Sequence, residues 1–468
     1  MEETKKRGSF RGSLGFVLAA AGSAVGLGNI WRFPYLAARG GGGVFLIIYL
    51  VLAVTFGYTL LTTEVAIGRK TKQSPLTAYG KMHRKFGWIG ILASLVPFLI
   101  MPYYCAIGGW VVKYFVAFLT GHGAEAAEDG YFTGFVTGKT EPIIFTFIFL
   151  FVCTAIIIMG VSKGIEGFSK IIMPILLVLV LAIAIYSLTI EGTRPDGTTA
   201  TGMDGLKAYV VPNFDDMSFN TFCKVLMDAL GQLFFSLSVA MGIMIAYGSY
   251  FSDDANLVKS INHIEIFDTS VAFLAGVMII PAVYAFQGPE GMAQGPSLMF
   301  ESLPKVFARM GSVGNVIGTL FFAMVLFAAV TSAMSILEAV VSGLIDKFNW
   351  KRSKATLIEG VAALVIGVIV CLGYNVLYFE VKLPNGSKAQ ILDILDYVTN
   401  NLLMPVIAIA TCIMVGWVIK PKTIIDEATK NGERFGRRLL YIAMVKYVAP
   451  GLLIVLLLIS SGIINTGS

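Results

Sequence analysis

Two short stretches put glycines and oxygen donors where an apolar helix has no use for them. In AGSAVGLGN, Gly22, Gly26 and Gly28 fall within seven residues and Asn29 follows. In FFSLSVAMG, Ser236, Ser238 and Gly242 interrupt a long apolar run. Backbone that leaves the helix in a medium without water leaves costly unpaired groups, so it survives only where it lines a cavity or binds something. A broken helix offers free N–H groups at one half's N-terminus, suited to an anion, and free carbonyls at the other half's C-terminus, suited to a cation. Two such breaks predict a site that holds a carboxylate and a sodium ion together near the middle of a bilayer. The plainer alternative, glycines that only let helices approach closely, explains one break more easily than two.

Other residues could serve the same chemistry. FAAVTSAMSILE places Ala328, Thr331, Ser332 and Ser335 on one helical face. Hydroxyl and carbonyl oxygens are the hard donors that small alkali cations prefer, although hydroxyls in helices also bond back to their own carbonyls. Asp268, in IFDTSVAFLAG, is a carboxylate inside an apolar segment, which is costly and marks function unless that end of the helix already lies in water. Titratable groups are otherwise sparse. His83, His122 and His263 lie in or near loops, so a haem or copper oxidase lacks ligands. Cys105, Cys153, Cys223, Cys371 and Cys412 show no paired spacing for disulfides or zinc. No enzyme is expected.

Holding such residues in place takes apolar helices, and the chain is built of little else. Over 468 residues, 56% of positions are hydrophobic, 14% are charged and the mean hydropathy is +0.78, more apolar surface than a soluble core can hide. Runs long enough to cross a bilayer core as helices succeed one another at 13–38, 43–68, 88–119, 142–161, 167–190, 222–250, 260–287, 311–346, 355–376, 391–419 and 437–463. They predict an all-α integral membrane protein with 11 transmembrane helices, numbered 1 to 11 below; a closed barrel would show short alternating segments instead. The broken segments are helices 1 and 6. That period of five predicts a 5+5 inverted repeat, 13–190 and 222–419, because an odd number of crossings turns the second half upside down. Residues 1–12 precede it, 191–221 and 420–436 are loops, helix 11 (437–463) is additional, and 464–468 follow it.

Loop Lys and Arg residues are retained on the cytoplasmic side. Twenty-three fall on the side of the N-terminus and eight on the other. The N-terminus is therefore expected in the cytoplasm, and loop 191–221 and the C-terminus outside a plasma membrane. The net charge of +6 then reflects topology, and no nucleic-acid partner is expected. No small-residue cleavage site ends the first apolar run, so no removable signal peptide is expected.

Longer stretches, GSAVGLGNIWRFPYLAARGGGGVFLIIY, GQLFFSLSVAMG, FAAVTS and SKGIEGFSKIIMP, resemble the signature segments of the neurotransmitter:sodium symporters, above all their bacterial amino-acid transporters. The resemblance runs from about residue 10 to residue 463. It implies two sodium ions. The first would be held by Ala24, Asn29, Ser236 and Asp268 with the substrate's carboxylate. The second would be held by the carbonyls of Gly22, Val25 and Ala328 and the hydroxyls of Thr331 and Ser332. The substrate's carboxylate would also meet the N–H groups near Leu27 and Gly28 and the Tyr104 hydroxyl, and its ammonium the carbonyls near Ser23, Ala24, Phe235 and Ser236. Ile100, Phe235, Ser238, Met241, Ser332 and Ile336 would surround its side chain, beside Gly26. The resemblance further implies an outer gate of Arg32 and Asp396 with Phe235 as a lid, and an inner gate of Arg7 and Asp346 near Tyr250. Each would close in only one phase of an alternating-access cycle. Gly164 and Pro174 reproduce a G-x9-P spacing in helix 5, where related transporters unwind to let water reach the second sodium; a proline kink is the alternative.

Three departures refine what the resemblance implies. Amine transporters keep an aspartate where this chain has Gly26, so the ligand must bring its own carboxylate, as an amino acid does. Chloride-dependent members have Asn at the position of Asp268 and Ser four residues later, here Ala272. The fixed charge of Asp268 would replace chloride, leaving Tyr49, Gln232 and Ser236 as remnants of a halide pocket. Most relatives carry a twelfth helix outside the repeat, so dimer contacts do not transfer, and monomer and oligomer both stay open. The expected function is a sodium-coupled, chloride-independent symporter that imports neutral L-amino acids. Hydrophobic or aromatic side chains are expected, because Met241 can repack, Ser238 is small and Gly242 leaves room. Small aliphatic substrates, a proton-coupled carrier of the same fold using Asp268, and a channel stay open as alternatives.

Overall fold

The computed structural model describes residues 8–215, 217–292 and 298–464. Among them, nine unbroken helices are long and apolar enough to cross a bilayer. They are Gly43–Thr71 (helix 2), Arg84–Leu119 (helix 3), Glu141–Ile158 (helix 4), Val161–Leu188 (helix 5), Leu257–Gly291 (helix 7), Val313–Phe348 (helix 8), Arg352–Leu372 (helix 9), Ile391–Val418 (helix 10) and Arg438–Ser460 (helix 11). Two further segments are broken, the first of them a tenth candidate crossing. Helix 1 is Ser13–Ala24 followed by Gly28–Arg39 at a bend of 55°, and helix 6 is Phe219–Ser236 followed by Ile243–Ser249. The all-α reading holds, and the breaks fall where the glycines and serines stand.

Exposure is inverted relative to a soluble bundle. Phe151, Ile185, Val361 and Leu439 on helices 4, 5, 9 and 11 are exposed, whereas Asn29, Ser236, Asp268 and Thr331 are fully buried. Apolar perimeter and polar centre are what a lipid solvent requires. Glycines set the closest approaches. Gly109 of helix 3 lies against the backbone of Phe145 and Thr146 in helix 4. Gly68 of helix 2 and Gly248 of helix 6 each face the other helix's main chain, at Ile245 and Val65. A Cβ at either would overlap backbone atoms that cannot rotate aside.

Some element ends depart from the sequence expectation. Helix 5 begins at Val161 instead of 167, because Val161–Glu166 wind as a wider turn continuous with the rest of the helix. Helix 7 continues to Gly291 across a kink at Gly288, where φ is 77°. Loop 191–221 contains a hairpin, Glu191–Thr193 with Thr199–Thr201, and a helix, Gly202–Val210. That helix starts where Thr201 and Asp204 cap each other's backbone N–H groups.

The break in helix 6 is held from outside. Ser238, Ala240 and Gly242 have φ of 52°, 62° and 75°, a left-handed backbone that costs a residue with a Cβ ~1–2 kcal/mol. Ala240 N–H donates to Glu64 Oε1 on helix 2 at 2.7 Å, and the Ser238 hydroxyl donates to the Ser23 carbonyl on helix 1 at 3.0 Å. Glu64→Ala strands the Ala240 N–H in the bundle and is expected to cost about 1–3 kcal/mol, measured as a lower unfolding midpoint in detergent. Glu64→Gln, which keeps an acceptor oxygen, is expected to lose less. An unchanged midpoint for the alanine variant would refute this role.

Candidate functional site

The centre of the bundle gathers oxygen atoms from helices 1, 6 and 7. Asn29 Nδ2 donates to Asp268 Oδ1 at 2.7 Å. The Ser236 hydroxyl lies 2.8 and 2.9 Å from the two Asp268 carboxylate oxygens and 3.2 Å from Asn29 Oδ1. Asn29, Ser236 and Asp268 are fully buried, and Ala24 nearly so. The amide of Asn29 is thereby oriented with its nitrogen on the carboxylate and its oxygen toward the Ser236 hydroxyl. Carboxylate, amide and hydroxyl oxygens in one dry cluster form the donor set that suits a hard monovalent cation. Among the described residues, the hydrogen-bond donors on Asp268 are the neutral Asn29 and Ser236, and no basic side chain lies within 4.0 Å of it. Gln232 Nε2 donates to the Gly28 carbonyl at 3.1 Å, its Oε1 is buried without a hydrogen bond, and Tyr49 lies against Asp268.

A second group of oxygens joins helix 1 to helix 8. The Ser332 hydroxyl donates to the Ser23 carbonyl at 2.9 Å and lies 3.5 Å from that of Gly22. A Cβ on Gly22 would stand 3.3 Å from Thr331 Cβ and 3.0 Å from Met173 Sδ of helix 5. The structure therefore brings Gly22, Thr331 and Ser332 together under Met173, the residue before Pro174. The Thr331 hydroxyl bonds back to the carbonyls of Phe327 and Ala328, each at 3.0 Å. Val25 and Ala328 are buried on the same elements.

Between the two groups lies a cavity lined by Ser23, Gly26, Gly28, Asn29, Ile100, Tyr104, Phe235, Ser238, Met241, Ser332 and Ile336. Ten of these are among the residues expected around a substrate. Ala24, Leu27 and Ser236 do not line it: Ser236 turns to Asp268, and Leu27 offers its N–H toward the Tyr104 hydroxyl at 3.5 Å. The cavity has a polar end of Ser23, Ser238, Ser332 and Tyr104, with Ser23 and Ser238 hydroxyls 3.2 Å apart, and apolar walls of Ile100, Phe235, Met241 and Ile336. Among the described residues no charged side chain lines it. Gly26 is not simply empty space, since a Cβ there would stand 2.6 Å from Ser332 Oγ and 3.3 Å from Tyr104 Oη.

A family model for sodium:neurotransmitter symporters matches residues 7–127 and 138–467. The chain belongs to the sodium:neurotransmitter symporter family. The symporter is 33% identical over 466 residues to the sodium-dependent transporter YhdH of Bacillus subtilis, a match covering 97% of each chain. It is 30% identical to a sodium-dependent transporter of Haemophilus influenzae, over 97% of this chain and 98% of the other. The crystal structure of MhsT in complex with L-phenylalanine superposes with a TM-score of 0.85 at 32% identity, covering 97% of this chain and 100% of that one. These relatives are membrane transporters, and the family couples to sodium.

The residues expected at the two gates lie as follows in the symporter. Arg32 and Asp396 form no ion pair within 4.0 Å. Asp396 instead accepts from the Tyr103 hydroxyl at 3.2 Å and from Asn400 Nδ2 at 2.6 Å, two neutral donors that satisfy it in place. Arg32 lines a vestibule of about 180 Å³ above Phe235, shared with Asp228 and Asn400. Phe235 lies across Gly28, where any Cβ would overlap its ring. On the opposite side, Arg7 lies outside the described residues. Asp346 accepts from Ser74 N–H at 2.6 Å, and the Tyr250 hydroxyl donates to Glu338 Oε1 at 2.5 Å. The Tyr250 carbonyl accepts from Phe10 N–H at 3.1 Å. Helix 5 of the symporter is wound through the G-x9-P stretch, with Pro174 inside it.

Four carboxylates escaped the reading of the sequence. Glu64 holds the helix 6 break. Glu338 is fully buried, accepting from both Arg352 (2.6 and 2.9 Å) and Tyr250. Glu166 accepts from Arg11 N–H at 2.9 Å, tying the N-terminal segment to helix 5. Asp228 enters the vestibule. Glu64 and Glu338 carried the same signal as Asp268, an acid well inside an apolar run, and that signal finds them.

Proposed function

We propose that this symporter imports neutral L-amino acids with hydrophobic or aromatic side chains, driven by two sodium ions and without chloride. The observation that carries the reading is the buried Asp268–Asn29–Ser236 cluster beside a cavity with one polar end, apolar walls and, among the described residues, no lining charge. A ligand there supplies its own carboxylate and ammonium and meets them with sodium and main-chain dipoles. MhsT, similar over nearly the whole chain, has been crystallised with L-phenylalanine, which supports an aromatic-tolerant pocket. In the first sodium site Ala24, Asn29, Ser236 and Asp268 act as ligands; in the second, Gly22, Val25, Ala328, Thr331 and Ser332. Arg32, Asp396 and Phe235 control the outer access, and Asp346, Tyr250 and the N-terminal segment the inner one. The N-terminus faces the cytoplasm of a plasma membrane and helices 1–5 and 6–10 form the two repeats. Each sodium gains about 2.3 kcal/mol per 100 mV of membrane potential, so two ions with a zwitterion gain about 4.6 kcal/mol.

The test is a thermal-unfolding screen of the purified protein against the standard amino acids, each in sodium and in potassium. Leucine- to tryptophan-sized hydrophobic amino acids are expected to raise the midpoint in sodium alone. Stabilisation confined to glycine and alanine would move the assignment to small aliphatic substrates. Equal stabilisation in potassium, with uptake following the proton gradient, would make Asp268 a proton carrier. Replacing chloride by gluconate is expected to leave uptake in proteoliposomes unchanged, and its loss would sink chloride independence.

A further inference from the structure

At the end of the bundle that carries the basic loops, helices 10 and 11 enclose a cavity of about 280 Å³ whose lining includes Gly416, Trp417, Lys420, Lys422, Arg438 and Lys446. Both helices loosen at the same level into wider turns, Met414–Val418 and Met444–Val448. Gly416 admits helix 11, since a Cβ there would stand 3.1 Å from the Val445 carbonyl oxygen. This approach fixes Lys446, eight residues and roughly 12 Å into the apolar helix 11. The Lys446 ammonium lies 5.5 Å from the centre of the Trp417 ring, and Trp417 Nε1 donates to the Lys446 carbonyl at 3.3 Å.

The charges do not balance. Lys422 pairs with Asp426 at 2.5 Å, but among the described residues no carboxylate lies within 4.0 Å of Lys420, Arg438 or Lys446. The acids on neighbouring elements are engaged elsewhere, Glu427 with Arg69 and Glu265 with Arg437. A lysine within a membrane span is costly and pairs with something. On the bilayer side Trp417 and Tyr447 are 56% and 61% exposed, and Ile413 and Val448 are exposed beside them. Three uncompensated cations next to an apolar strip fit an amphiphile with an anionic head and a hydrocarbon tail. Free phosphate would use the cations alone.

We propose that this cavity binds the phosphodiester headgroup of an anionic membrane phospholipid, with Arg438 and Lys446 as its principal partners and an acyl chain along the exposed strip. Basic pockets between helices at the cytoplasmic boundary take anionic headgroups by this chemistry. The purified protein in neutral detergent is incubated with equal amounts of phosphatidylglycerol and phosphatidylcholine of identical acyl chains, and retained lipid is read by native mass spectrometry. Wild type is expected to retain phosphatidylglycerol about tenfold over phosphatidylcholine. Arg438→Gln/Lys446→Gln is expected to fall to parity, and Lys382→Gln/Lys388→Gln, at the far side, to keep the preference. Equal retention by wild type, or an undiminished preference in the first variant, overturns the proposal. So does displacement of the lipid by excess inorganic phosphate, which would make the site one for a free anion. If the double variant does not fold, tryptophan quenching by bromine-labelled lipids decides. Stronger quenching of wild type by labelled phosphatidylglycerol than by labelled phosphatidylcholine, lost in Trp417→Phe, supports the site, and equal quenching overturns it.

Discussion

Asp268→Ala is expected to lower the apparent sodium affinity for substrate binding by more than about 100-fold, equivalent to ~2.8 kcal/mol. The carboxylate is fully buried and takes hydrogen bonds from Asn29 and Ser236. Truncating it strands the Asn29 Nδ2 donor, at about 1–3 kcal/mol, leaves the Ser236 hydroxyl only its bond to Asn29 Oδ1, and removes the carboxylate from the cluster. Asp268→Asn keeps the shape and discards the charge. Its affinity is expected to fall less and to recover partly in chloride, because Tyr49, Gln232 and Ser236 surround the same spot. Sodium titrations of bound radiolabelled hydrophobic amino acid, with unfolding midpoints as a control for folding, measure both. A wild-type sodium dependence in the alanine variant would remove Asp268 from the proposed sodium site. An asparagine variant indifferent to chloride would remove only the halide argument.

Gly26→Asp is expected to reduce amino-acid uptake by at least about 100-fold, without conferring amine uptake. The first added carbon already stands 2.6 Å from Ser332 Oγ, so Ser332 must leave its bond to the Ser23 carbonyl. Overfilling a packed site costs about 1–3 kcal/mol, and a carboxylate brought into the closed cavity adds repulsion toward the substrate's own. Uptake of labelled hydrophobic amino acids and of a monoamine into proteoliposomes, at matched protein insertion, gives the result. Retained amino-acid uptake would show that the cavity is wider in the working cycle than its lining implies. New amine uptake would show that Gly26 alone selects the ligand class.

Much of this was legible because membrane physics makes exceptions visible. Gly22, Gly26 and Gly28 mark the helix 1 break because the second interruption, at Ser236 to Gly242, makes close helix packing alone the poorer account of the cluster. Asp268 announces itself as a charge in an apolar run. The register that sets Asn29 beside Asp268 is another matter, since 239 residues separate them and periodicity cannot align distant helices. Only Gly242 betrays the left-handed backbone of helix 6. Ser238 and Ala240 share that conformation because Glu64 and Ser23 hold it, and such support is invisible without the third dimension. The same limit explains Arg32 and Asp396. That pair comes from the resemblance and belongs to one phase of a cycle, whereas the bonds of Tyr103 and Asn400 to the carboxylate involve neutral donors that leave no charge pattern to read.

Main-chain contact at Gly68 and Gly248 joins helix 2 and the inner half of helix 6 into a single strut, since rotating either would drive backbone through backbone. Among the described residues, the glycines of Ser13–Ala24 in helix 1 meet no neighbouring main chain in this way. In that helix a Cβ at Gly15 would meet the Glu166 side chain, and one at Gly22 the side chains of Met173 and Thr331. Single main-chain donors, Phe10 N–H to Tyr250 and Arg11 N–H to Glu166, fasten the segment before it. Of the two broken helices, helix 6 is therefore the one locked to a neighbour at its glycine, and helix 1 meets only side chains at Gly15 and Gly22, on the near side of its 55° bend.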